Sequence, residues 1–149
     1  MTEAWLAFFH ISAFLGWVVF ASSQAALCRV EWLNEAVVHR LARLDRILWI
    51  ATAAVLLSGL ARMVWGAKGL GWYASHPLLH LKLTLFVVAA LLMLGCSRKI
   101  VRWRRTIEQQ GALPSPADIR NARKLIMLET HLVALIPLAA VFLARGWGN

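Results

Sequence analysis

The chain has 149 residues, 60% hydrophobic and only 15% charged, with a mean hydropathy of +0.65. A soluble domain is about 45–50% apolar and about 25% charged, so this composition excludes a soluble fold, a secreted disulfide scaffold and a disordered tail. The 16 Lys and Arg against 7 Asp and Glu would suggest nucleic acid in a soluble protein. Here the basic residues fall between uninterrupted apolar blocks, which points to a lipid bilayer and to no nucleic acid.

A helix needs about 20 apolar residues to cross about 30 Å of hydrocarbon. Four stretches qualify, at 5–27, 47–64, 78–97 and 125–143. Period-2 alternation is absent, and closed backbone hydrogen bonding in lipid then leaves only helices. The expected fold is all-α: one integral membrane domain, a four-helix up-down bundle. Arg29, Arg40, Arg43 and Arg46 lie between spans one and two. Arg98, Lys99, Arg102, Arg104, Arg105, Arg120, Arg123 and Lys124 lie between spans three and four. Positive charge marks the cytoplasmic side, so both loops are expected inside and both termini outside, in a bacterial inner membrane. Met1-Thr2-Glu3 supplies no positive n-region, so the first apolar block is expected to be a retained helix. Cys28 and Cys96 fall at cytoplasmic ends and are expected to be reduced thiols.

The helices should begin and end at local signals. Asn34 suits the N-cap of a helix running through His39 and Arg46 into span two, with Gly66 ending it. The 66–76 stretch reads as a glycine-rich loop with Trp72 and Tyr73 as interfacial anchors. Ser75 or His76 caps a helix whose first turn holds Pro77, and this helix continues through 98–110 to Gly111. Ser115-Pro116-Ala117-Asp118 opens the last helix as cap, first-turn proline and early acid. The basic 98–120 connection is expected to meet anionic lipid headgroups. Trp5, Trp49, Trp65, Trp72 and Trp147 suit an aromatic belt, and Pro137 suits a kink in helix four.

Ionisable residues inside the spans carry the functional signal, because each costs about 2.5–3.5 kcal/mol at mid-helix when charged. They are His10, His80, Lys82, Glu129 and His131, with Arg62 at the margin. His10 and His80 lie roughly 8–9 Å and 4–5 Å from the outer starts of helices one and three, which are diagonal in such a bundle. Imidazoles at similar depth on diagonal helices can ligate the iron of a b-type haem from both sides. Ala13, Gly16 and Trp17 would give the macrocycle room and an aromatic wall, and Arg62, Lys68 and Lys82 would meet its propionates. His131 is an alternative ligand. Lys82, His131 and Glu129 are the candidates for catalytic or proton-relay roles. Each also has a plain reading: an interhelical hydrogen bond for a histidine, a snorkelling Lys82, an interface ion for Glu129. Met127 and His131, four residues apart, could instead hold copper.

The segment Leu78-Leu79-His80-Leu81-Lys82-Leu83 resembles the third-helix His-x-Lys-Leu pattern of a bacterial four-helix inner-membrane family known only as a domain of unknown function. The likeness extends to Gly59-Leu60-Ala61-Arg62-Met63-Val64-Trp65-Gly66-Ala67-Lys68-Gly69 and to His10, nearly the whole chain. More distantly the chain is similar to HemJ, the membrane protoporphyrinogen oxidase family, at His10, Trp17, His80 and Lys82. A Pro-Arg that follows the first-helix Trp in HemJ is missing here: no arginine follows Trp17 until Arg29. The resemblance implies haem b on His10 and His80, flanked by Trp17, Arg62 and Lys82. It implies a redox role: electron transfer, or HemJ-like oxidation of a porphyrinogen or quinol. A quinone or porphyrin is then the small-molecule partner, and a second copy of the chain a candidate protein partner. The alternative is a cofactor-free membrane assembly protein, or one that handles copper.

Overall fold

The computed structural model describes residues 2–65, 71 and 75–145. Four helices follow one another: α1 (Thr2–Leu27), α2 (Glu35–Trp65), α3 (Pro77–Gln110) and α4 (Pro116–Ala144). No strand occurs among the described residues. Each helix contains a window long and apolar enough to cross a membrane. At about 1.5 Å per residue they run roughly 39–51 Å, beyond the ~30 Å of hydrocarbon. The helices continue past their apolar parts at the connecting loops, as the capping signals at Asn34, Gly111 and Ser115 lead one to expect.

The chain runs up and down, each helix packing on its sequence neighbour and α1 also on α4, so α1 and α3 are diagonal. One end of the bundle, the termini end, gathers the start of α1, the end of α2 and the start of α3. Glu3 and Arg62 approach to 3.9 Å there. The other, loop end carries the two basic connections.

Heptad spacing sets which faces meet. Val38, Asp45, Thr52 and Gly59 occupy every seventh position of α2, as do Leu41, Leu48, Val55 and Arg62. In α3 the rows are Leu79, Phe86, Met93, Ile100, Ile107 and Lys82, Ala89, Cys96, Trp103; in α4, Ile119, Ile126, Val133 and Ala122, Glu129, Ile136, Leu143. Most of these side chains are buried, as expected when a 3.5-residue average keeps one seam inward. Phe8, Phe9, Ile11, Leu15 and Val19 lie off the α1 seam and are exposed. That surface is stable only against lipid or another apolar partner. Trp17, Ala21, Leu48, Val55, Ala89, Met93, Val133 and Ile136 form the middle of the core, and a second cluster around Cys28, Leu41, Ile100, Trp103 and Ile126 closes the loop end.

The helix ends follow the local signals. The Asn34 side chain accepts from Val37 N–H at 3.0 Å. His76 caps α3 ahead of Pro77 without a side-chain cap bond. Gly111 ends α3 at φ 65°, its N–H donating to Ile107 C=O at 2.9 Å. Ser115 accepts from Asp118 N–H at 3.2 Å and donates to the Asp118 carboxylate at 2.9 Å. Pro137 sits inside α4, which runs through it as one helix. The expected ending at Gly66, Lys68, the Trp72 and Tyr73 anchors and Trp147 lie outside the described residues.

Cys28 and Cys96 are buried free thiols. Burial pushes the Cys28 thiol up to about 11, against the opposing pull of Arg123. A thiol raised in the folded state stabilises fully below its unfolded value of 9.0 and loses that contribution as pH climbs to about 11. Unfolding of purified protein should therefore show a loss of stability over that window which Cys28→Ala removes. Ser115→Ala should cost about 1 kcal/mol through the lost N-cap, read in the same assay.

Candidate functional site

α1 places His10, Trp17 and Gln24 on one row, seven residues or roughly 10 Å apart, and all three are buried. Each marks a level at which polar groups from other helices enter the bundle.

At the termini end, His10 Nδ1 lies 2.9 Å from Ser58 Oγ on α2. The single Ser58 hydroxyl proton points to Ala54 C=O at 2.5 Å, so Ser58 offers His10 a lone pair. Nδ1 therefore carries the proton and donates, leaving the Nε2 lone pair uncommitted by that bond. Gly59 makes the approach feasible: a Cβ there would stand 3.2 Å from His10 Cε1. Lys82 and Arg62 both act electrostatically on His10, and on each other. Arg62 is 3.9 Å from the half-exposed Glu3, and its Nε is buried with no acceptor. Two cations and one imidazole share this level with one carboxylate, an arrangement suited to an anion.

In the middle, the fully buried Trp17 donates its indole N–H to Glu129 Oε1 of α4 at 3.3 Å. Its ring meets Phe86 of α3 edge-on at 5.3 Å and Phe14 at 6.3 Å. The diagonal between α1 and α3 is thus filled by aromatic rings at this depth. The Thr52 hydroxyl donates to Leu48 C=O at 2.8 Å, with Met93 Sδ 3.6 Å away.

Towards the loop end, the Ser97 hydroxyl donates to Asp45 Oδ2 at 2.6 Å and accepts from the Trp49 indole at 3.3 Å. Gln24 is wholly buried beside Asp45. Four polar atoms here and at the level above are buried without a hydrogen-bond partner of good geometry: Gln24 Oε1 and Nε2, Asp45 Oδ1 and Glu129 Oε2.

The structure thus collects His10, Trp17, Arg62, Lys82 and Glu129 within the bundle and leaves His80 and His131 outside it. His80 is exposed, with Leu79 buried beside it. The expected facing pair of His10 and His80 is therefore not what the helices present: Lys82, in phase with Ala89 and Cys96, points inward in its place. His131 is exposed as well, its Nδ1 2.5 Å from Met127 C=O of its own helix. Among the described residues no group of three or more His, Cys, Asp and Glu is placed to hold a metal ion. Of the three histidines expected inside the spans, the bundle buries His10 alone, and it lies within electrostatic reach of the cations Arg62 and Lys82. Asp45, Gln24 and Ser58 were not singled out from the sequence. The signal for the first two was heptad phase, since Asp45 shares a row with Val38 and Thr52, and Gln24 one with His10 and Trp17.

The profile of a family described as "Predicted membrane protein (DUF2214)" matches residues 2–148, so the chain belongs to that family. No curated protein and no solved structure matches it.

Because Gly59 has no side chain where His10 packs, Gly59→Val should displace the imidazole and cost about 1–3 kcal/mol by overpacking. Ser58→Ala should cost about 0.6–2 kcal/mol through the lost interhelical bond. Denaturation of the detergent-solubilised protein, unfolded with SDS, measures both.

Proposed function

We propose that this protein binds a b-type haem at the termini end of its bundle and has a redox role, as an electron carrier or as an oxidoreductase of the HemJ kind. The observation that carries the reading is the state of His10. It is a buried imidazole whose Nδ1 is anchored on α2 by Ser58, with the Val55 carbonyl of the same helix also within reach of the ring, and such anchoring fixes tautomer and ring direction in metal-ligating histidines. Arg62 and Lys82 add what an amphiphilic porphyrin needs beside its iron, cations for two carboxylates in a region of low dielectric. The orphaned Arg62 Nε is a donor in want of such an acceptor.

When bound, a haem supplies reversible one-electron chemistry. The chain's own residues do the rest. Ser58 holds the His10 ring, Gly59 lets it lie against α2, and Arg62 and Lys82 bind negative charge and favour an anionic substrate. Trp17 and Phe86 wall off the bundle below this level. The resemblance to HemJ, at His10, Trp17, His80 and Lys82, is a further support for haem, although His80, on the outer face, is assigned no ligand role within one bundle. Twelve of the 16 basic residues sit at the loop end of the bundle, and the positive-inside rule supports termini, and with them this site, on the periplasmic side of a bacterial inner membrane.

Protein purified in detergent from haem-replete cells should show a reducible Soret and α-band. His10→Ala should abolish both bands, and His80→Ala should leave them. Arg62→Ala or Lys82→Ala should weaken haem retention roughly tenfold, as loss of a hydrogen bond to a charged group does. A colourless, folded protein overturns the proposal, as does a spectrum that survives His10→Ala.

A further inference from the structure

We infer that Asp45, Gln24 and Glu129 form a buried proton-binding relay that opens to the loop end of the bundle. It concerns residues remote from His10 and stands whether or not a haem is bound.

The three side chains come from α2, α1 and α4, and their exposures are 4%, 0% and 0%. Each carboxylate has one oxygen held by a fixed donor: Asp45 Oδ2 by the Ser97 hydroxyl, Glu129 Oε1 by the Trp17 indole. Each has its other oxygen orphaned, and the Gln24 carboxamide is orphaned at both atoms. Two buried carboxylates so placed are costly as a pair of anions, because burial removes their hydration and each repels the other. A proton on one of the orphaned oxygens removes that repulsion and turns the oxygen into a donor. Gln24, with one acceptor oxygen and one donor nitrogen to offer, lies beside Asp45 and does not carry the proton itself.

The relay has a mouth at one end. Asp45 lines a small cleft with Ala42, Arg46, Val101, Arg104 and Arg105, and Ser97 lines a neighbouring one with Arg98 and Arg102. At the other end Trp17, Phe14 and Phe86 close the axis, and the Lys82 and Arg62 charges lie beyond. The path is therefore a dead end, suited to loading a proton from the loop side and holding it. A metal cation suits it less, because arginines crowd the mouth and three orphaned oxygens fall short of the 6–8 or so that a hard cation such as calcium collects.

Loading takes one proton from hydronium at the mouth, leaves water behind and turns Asp45 from an anion into a neutral acid, so the pair goes from two negative charges to one. When Asp45 gives that proton to Glu129 it becomes the anion again, and no other reactant is consumed. The charged and titratable groups that face the two acids are each other, Cys96 of α3, which interacts electrostatically with both, and the mouth arginines Arg46, Arg104 and Arg105 beside Asp45.

Infrared difference spectroscopy of the full-length protein in oriented vesicles tests the inference. A carboxylic-acid C=O band should appear on acidification of the loop side by an impermeant buffer, and shift in D2O. It should vanish in Glu129→Gln, and its midpoint should move roughly tenfold or more in proton concentration in Asp45→Asn, as expected when a like charge is removed. Gln24→Met should shift it without removing it. The inference is overturned by a band that no pH change alters, by no band at any pH, by a response to termini-side pH alone, or by displacement with sodium at constant pH. Sidedness and D2O exchange are read on the unaltered protein, so they decide the matter even where a variant fails to fold.

Discussion

Polar side chains inside this bundle are largely screened from bulk water, and the structure is organised by how they are satisfied along one seam. Burying a hydroxyl, amide or imidazole in an apolar medium costs several kcal/mol unless it meets a partner. His10 meets Ser58, Trp17 meets Glu129, and Asp45 meets Ser97, which in turn meets Trp49. Each contact joins two helices, so the same bonds that satisfy the groups fix the rotation and register of the staves. Apolar packing alone, between helices whose surroundings are equally apolar, would specify that register less well.

The interior is electrically asymmetric. Arg62 and Lys82 make the termini end positive, Glu129 and Asp45 make the middle and the inner half acidic, and the arginines of the connections lie outside them. An anion is attracted at the first level and a proton at the second, and the aromatic plug of Trp17, Phe14 and Phe86 keeps the two apart. A redox cofactor at one end and a protonatable pair at the other would be separated by roughly two helical turns.

Small residues permit this arrangement where the helices come closest. Gly59 is the clearest case, since a Cβ there would stand 3.2 Å from His10 Cε1 and the ring would have to give by a few tenths of an ångström. The tightest helix pairs are α1 with α2 and α3 with α4, so the His10–Ser58 contact sits within one hairpin. The Trp17–Glu129 and Asp45–Ser97 contacts tie the two hairpins together.

The sequence by itself determined the four spans, the up-down order and nearly every helix end, because hydropathy, Asn34, Gly111 and the Ser115–Pro116 signal are local and act through the nearest turn. It also determined that ionisable residues lie inside the spans. Tertiary structure alone decided which of them face one another. His80 and Lys82 are two residues apart and lie on nearly opposite sides of α3, so one must point outward, and the row of Ala89, Cys96 and Trp103 selects Lys82. Glu129 and His131 are separated in the same way by the row of Ala122, Ile136 and Leu143. A residue's depth follows from counting along its own helix, whereas its partner depends on the rotation of four helices at once, and that is settled only when their seams pack.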